Sequence, residues 1–166
     1  MNSVTTDIRC SSADFDIAPP SATQRQALEG MLTHEERKVL LNHWTEAAFC
    51  GGLLDNKHAG TYCCRLCGLP LFSAASKFDS GTGWHSFATP FVMDHLNVVT
   101  DSNHGMTRTE IRCARCDSHQ GHVFPDGPLP RHKRYCINSV PLEFTAKGQV
   151  LPDKLGRGEA LKATLV

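Results

Sequence analysis

Long apolar runs are missing from this chain: none approaches the ~18 residues that a membrane-crossing helix requires. Residues Met1 to Ser12 also lack the apolar centre of a secretory signal, so the cytoplasm is the expected compartment. Net charge is missing too, because 17 lysines and arginines balance 17 aspartates and glutamates. A balanced chain has no strong electrostatic pull on nucleic acid or on an anionic membrane. Aromatic residues make up only 7% of the chain, which further argues against nucleic acid as a partner. Apart from a doubled Cys-x-x-Cys there is no internal repeat.

What the chain does hold is cysteine, eight residues of it in 166. That length suits one domain with a real core. In a reducing compartment such a cysteine count points to metal ligation or redox chemistry rather than to a disulfide framework. Cys64-Arg65-Leu66-Cys67 and Cys113-Ala114-Arg115-Cys116 each present two sulfurs on a tight turn, and two such knuckles close a tetrahedral thiolate site for Zn2+. Four thiolates leave no open coordination position, so this zinc is expected to hold shape and add to folding free energy. Read singly, each pair also fits a redox motif, but such pairs open a helix in a βαβ setting and neither flank here has one.

Punctuation along the chain divides it into a flexible N-terminal tail over 1–20, ending in Pro19-Pro20, a single domain over 21–147, and a weakly ordered end over 148–166. Ser21-Ala22-Thr23-Gln24 and Thr33-His34-Glu35-Glu36 are capping boxes, predicting short helices near 22–30 and 34–44. Val39, Leu40 and Trp44 are expected to form the buried stripe of the second. From Tyr62 onward, short apolar runs cut by Gly, Pro, Asn and Asp predict strands at 71–72, 86–92, 96–100, 106–112, 119–124 and 134–144. The fold class is therefore mainly β, two small antiparallel sheets around the zinc knuckles, with short N-terminal helices.

One stretch stands apart. In Arg134-Tyr135-Cys136-Ile137-Asn138-Ser139, strand alternation places Arg134, Cys136 and Asn138 on one face and Tyr135 and Ile137 on the other. A guanidinium two positions from a thiol favours thiolate, the nucleophilic form. An ordinary structural cysteine would instead have apolar neighbours on its face. His119-x-x-His122 follows the second knuckle; at that spacing on a regular strand the rings lean to opposite faces, which suits a shared metal poorly. Histidine titrates near neutral pH, so either is a candidate proton donor or a hydrogen-bonded structural residue.

Taken together, these pieces resemble a methionine-R-sulfoxide reductase, the B-type family. The resemblance runs over residues 30–147 and rests on six ordered blocks. These are Tyr62-x-Cys64-x-x-Cys67-Gly68; Lys77-Phe78-Asp79-Ser80-Gly81-Thr82-Gly83-Trp84; His104-Gly105-Met106-x-Arg108-Thr109-Glu110; Cys113-x-x-Cys116; His119-x-Gly121-His122-Val123-Phe124; and Arg134-Tyr135-Cys136-Ile137-Asn138-Ser139. It implies reduction of the R epimer of methionine sulfoxide, free or in proteins, with thioredoxin as reductant. Cys136 would attack, with His119, His122, Asp126, Arg134 and Asn138 around it, and Trp84 would hold the substrate methyl group. Attack needs an acid at the sulfoxide oxygen, for which His122, helped by His119, is expected to serve. The product on Cys136 is a sulfenic acid, which a second thiol converts to a disulfide.

The chain departs from the family at three places. Thr82 stands where many members carry the recycling cysteine, His85 replaces the usual proline after the tryptophan, and Arg131-His132-Lys133 replaces a Thr-Gly-Leu-like approach. Of the remaining thiols, Cys63 adjoins a knuckle and Cys10 lies in the tail. Cys50, beside Gly51-Gly52, is the expected recycling residue. Two non-catalytic readings stay open on fold alone: a zinc-ribbon binding module, and a zinc chaperone or regulator of a small GTPase.

Overall fold

The structure is a computed structural model and describes residues 9–48, 51–102 and 105–162. Two antiparallel sheets carry it. The smaller joins β2 (Pro70–Ser73), β1 (Gly60–Cys64) and β9 (Leu142–Ala146) in that order. The larger runs β3 (Lys77–Phe78), β4 (His85–Phe87), β8 (Arg134–Ile137), β7 (His119–Phe124), β6 (Arg108–Cys113) and β5 (Leu96–Asp101). Between the sheets Phe72 of β2 stacks on Phe87 of β4 with ring centroids 4.4 Å apart, and Tyr62 meets Phe87 edge-on at 5.3 Å. These contacts join the sheets into one core. The expected mainly-β class with two antiparallel sheets is what forms.

Both capping boxes open helices, α1 (Ala22–Gly30) and α2 (His34–Leu40), with the hydroxyls of Ser21 and Thr33 accepting from the amides of Gln24 and Glu36. The second helix is shorter than predicted. His43 takes a left-handed φ of 58°, so the chain turns away after Leu41. Val39 and Leu40 are buried as expected, whereas Trp44, expected in the core, is 61% exposed.

The run predicted as one strand over 134–144 is two strands in different sheets. Pro141 has no amide hydrogen for a ladder, and the chain crosses at 138–141 from the larger sheet to the smaller. The strand β1 escaped prediction because all five of its residues are buried, which erases alternation. Among the described residues no helix is long and apolar enough to cross a membrane.

Residues 9–20, read as part of a flexible tail, pack on the body. Phe15 is buried, Ser12 bonds both carboxylate oxygens of Asp94, and Ser11 Oγ lies 2.8 Å from His95 Nε2. Residues 151–162, read as weakly ordered, pack as well: Leu151 is buried, and Arg157 donates to the carbonyls of Asp16, Ala18 and Pro19. Polar anchoring of this kind leaves no apolar pattern to read. Its centre is the buried pair Arg115–Glu159, where Arg115 also donates to the carbonyl of Cys67 at 2.6 Å. Removing one member of a buried pair strands the other charge. Glu159→Ala is therefore expected to cost about 3 kcal/mol of stability, read as a lower urea midpoint at unchanged slope.

Candidate active site

Two strand ends bring the four knuckle cysteines together. Cys64 ends β1 and Cys113 ends β6, each followed by the turn that returns its partner. All four side chains are buried; Cys64 and Cys116 Sγ lie 3.6 Å apart, Cys67 and Cys113 Sγ 3.5 Å. A tetrahedron with ~2.3 Å metal–sulfur bonds has edges of about 3.8 Å, so the donor set fits a tetrahedral metal. Ser118 Oγ sits 3.3 Å from Cys64 Sγ and 3.1 Å from Cys116 Sγ, and Gln120 Nε2 points at Cys64 Sγ from 3.6 Å. Such donors stabilise sulfur in its charged form. These are residues positioned to bind a metal ion.

A second group of ligand types, His43, Glu110 and His119, reads differently. Both imidazole Nδ1 atoms lie 2.7 Å from the same oxygen, Glu110 Oε2. That is a hydrogen-bond length, shorter than the ~3.3 Å edge expected around a metal with ~2.0 Å bonds. Arg112 Nε takes the other carboxylate oxygen at 2.8 Å. The carboxylate, its pKa lowered by the His43, His119 and Arg112 bonds against the penalty of burial, holds both rings with Nδ1 protonated.

Cys136 lies at the centre of the larger sheet, opposite His122 of β7 on one side and opposite Ser86 of β4 on the other. Side chains of directly paired residues stand ~5 Å apart on one face, so three reactive groups share one row. The alternation is as predicted: Tyr135 and Ile137 are buried, while Arg134 and Cys136 are partly accessible. From the loop before β4, the Thr82 hydroxyl lowers the Cys136 pKa. Thr82 Oγ1, Ser80 Oγ and Ser86 Oγ form a hydroxyl chain at 2.8 and 2.7 Å.

The electrostatics differ from the expected ready-made thiolate. Burial raises the Cys136 pKa, and Arg134 and Thr82 recover only part of that. The guanidinium is already engaged, donating to Asp126 at 2.9 and 3.1 Å and lying 4.6 Å from the Phe124 ring centre. Asp126 is thus an exposed orienter of Arg134, and its own charge pushes the thiol up.

His119 and His122 do not lean to opposite faces. The β6–β7 pairing slips by one residue between Gly121 and His119, a bulge that brings the rings to 5.5 Å. His122 Nε2 donates to Asp101 Oδ2 at 3.1 Å. Burial lowers both pKa values, His119 to about 4. Asn138 is buried and used for tethering: Nδ2 donates to the Gln120 carbonyl at 3.3 Å and Oδ1 accepts from the Glu46 amide at 3.2 Å. Trp84, half-buried just before β4, donates from Nε1 to the Glu46 carbonyl at 3.0 Å.

Cys50 lies outside the described residues. Cys63 is fully buried, its thiol pushed up to about 12 by burial, and Cys10 is exposed on the docked N-terminal segment. Sequence reasoning missed Glu46, Ser86, Asp101 and Glu110 as parts of the site. Glu110 had a signal, standing inside a family block, whereas Glu46 sits in a polar stretch with none.

Residues 32–146 match the SelR domain model. A Caulobacter vibrioides protein named peptide methionine sulfoxide reductase MsrB is 60% identical over 151 residues, covering 91% of this chain and 95% of its own. A Xylella fastidiosa protein of the same name is 59% identical over 87% of this chain and 94% of its own. One from Escherichia coli is 48% identical over 76% and 90%. With the domain matched over most of its length and relatives this similar end to end, the chain belongs to the SelR-domain family of MsrB proteins.

Proposed function

We propose that the protein reduces methionine-R-sulfoxide, free or in oxidised proteins, to methionine, with Cys136 as nucleophile. The observation that carries this is the row His122–Cys136–Ser86, an accessible thiol with an imidazole directly across one strand pair and a hydroxyl across the other. A binding module needs no such row. Residues 21–147 form the reductase domain, acting in the cytoplasm.

The pKa directions set the order of events. With the thiol raised and both imidazoles lowered, the resting proton sits on sulfur. Attack on the sulfoxide sulfur moves that proton, through His122, to the sulfoxide oxygen. The oxygen ends on Cys136 as sulfenic acid and methionine leaves. Thiol plus sulfoxide equals sulfenic acid plus sulfide, so no outside proton is consumed. His119, held neutral and tied to Glu110, keeps His122 company at ring-contact distance rather than supplying the proton. Trp84 walls the substrate methyl group with its apolar face.

Recycling requires a second thiol to attack the sulfenic acid, releasing water and forming a disulfide that thioredoxin exchanges. Cys63 is walled in and Cys10 is on a docked segment, which supports Cys50 for this role. Cys64, Cys67, Cys113 and Cys116 would hold a structural Zn2+, which would add to folding free energy and supply no redox chemistry.

Three measurements test these assignments. Thiol-dependent loss of the R but not the S sulfoxide of a methionine derivative should vanish in Cys136→Ser, while Cys50→Ser should complete one turnover and then stop with thioredoxin. Equal thioredoxin turnover in Cys50→Ser and parent would move the recycling role elsewhere. Alkylation of Cys136 should accelerate with pH around a midpoint above the usual cysteine range, because thiolate forms only as pH climbs through a raised pKa. Arg134→Met, removing a group that lowers it, should push the midpoint higher still; a downward move refutes the charge argument. Elemental analysis should find one zinc per chain, lost together with cooperative folding in Cys116→Ser.

A further inference from the structure

We infer that Glu46 is a positioning residue that sets Trp84 against Cys136, clamping the substrate wall to the strand that carries the nucleophile; the inference rests on the function proposed above. Glu46 lies in the irregular stretch after α2 and binds in three directions at once. Its carboxylate accepts from two consecutive amides, Ser139 N on Oε1 at 2.6 Å and Val140 N on Oε2 at 3.1 Å. Its own amide donates to Asn138 Oδ1, and its carbonyl accepts from Trp84 Nε1.

Each bond has a reason. Residues 139 and 140 come just after β8 ends, where the chain leaves one sheet for the other and no ladder serves their amides. An ionised carboxylate spanning two adjacent N–H groups is a strong, charge-assisted way to serve them. Ser139 also meets His85, whose Nε2 lies 2.5 Å from Ser139 Oγ. Gly51 passes close to both residues: a Cβ there would fall 2.0 Å from Ser139 Oγ and 3.1 Å from Glu46 Oε1. Only glycine lets the chain return so closely.

The consequence runs through the backbone. Trp84 is half-buried, and its indole is anchored to the carbonyl of a residue whose amide bonds the Asn138 side chain, two after Cys136, and whose carboxylate grips the amides three and four after it. Without the carboxylate, residues 139 and 140 lose their acceptors and the carbonyl that steers the indole loses its fixed place. The wall and the sulfur then stop sharing one frame. Glu46 touches neither substrate nor the reacting atoms.

The chain has two tryptophans, so in a Trp44→Phe background the emission is that of Trp84 alone. There, Glu46→Ala and Glu46→Gln are expected to red-shift that emission and raise KM for methionine-R-sulfoxide about tenfold. The Cys136 alkylation rate should hold within about twofold. Glu46→Asp, whose shorter arm reaches one amide, should fall between. Glu46→Gln has the parent's size and carries the test where Glu46→Ala does not hold the fold. Unchanged emission and KM in both variants overturn the clamp when Trp84→Ala, measured alongside, does raise KM. An unchanged KM in Trp84→Ala sinks the methyl-wall reading instead, and the emission shift still decides whether Glu46 holds the indole.

Discussion

The reactive arrangement depends on antiparallel pairing of β8 with neighbours on both sides. Cys136 faces His122 because Tyr135 faces Val123, and faces Ser86 because Ile137 faces His85. With a side-chain period of two, a slip of one residue would turn Cys136 into the core and expose Ile137. The register is therefore guarded by the apolar side of the same strand. Tyr135 and Ile137 are buried, and Tyr135 meets Phe72 of the other sheet at 5.8 Å. Packing on one face thus aligns chemistry on the other. The metal knuckles act one step further out, since Cys113 ends the strand β6 that pairs with β7 and so indexes His122.

Burial works against charge throughout the site, and the outcome is a neutral resting state. Arg134 alone would make Cys136 acidic, yet desolvation of the thiol outweighs it, partly because Asp126 holds the guanidinium from the other side. His122 has the carboxylate of Asp101 in contact and still titrates low, because burial is the larger effect and Arg108 adds to it. A thiol beside a neutral imidazole separates charge only when something accepts the proton. In the reaction proposed above a sulfoxide oxygen is that acceptor, so thiolate would form only with substrate present.

How much of this was legible in the sequence depends on whether a feature is local. Capping boxes, knuckles and the alternation over 134–137 are local patterns, and each appears in the structure where its residues placed it. The position of His119 relative to His122 is not local. It turns on a bulge whose cause lies in the pairing with β6, so regular alternation predicted opposite faces and the rings instead meet. The docked ends were illegible for a related reason. Arg115, Glu159, Arg157 and Asp16 are held by polar contacts between residues far apart in the chain, which no local pattern announces. Glu46 is the extreme case: it acts through backbone amides of a distant segment, and no side-chain pattern announces that.

Thr82 bears on the recycling step proposed above. Its hydroxyl lowers the Cys136 pKa and leads a chain through Ser80 to Ser86, so the place beside Cys136 is filled by a group that favours thiolate but cannot form a disulfide with it. In the cycle proposed above, a disulfide is then made with a thiol that arrives from elsewhere. The four knuckle sulfurs are gathered with one another, and Cys63 is buried within β1 with its thiol far from ionising. In the sequence Gly51 and Gly52 follow Cys50, the residue proposed above to supply that thiol. The same glycine at 51 fits the close passage over Ser139 and Glu46 that a larger residue would block. Replacing Gly51 with any side chain would disturb that passage, and with it the contacts of Ser139 and Glu46.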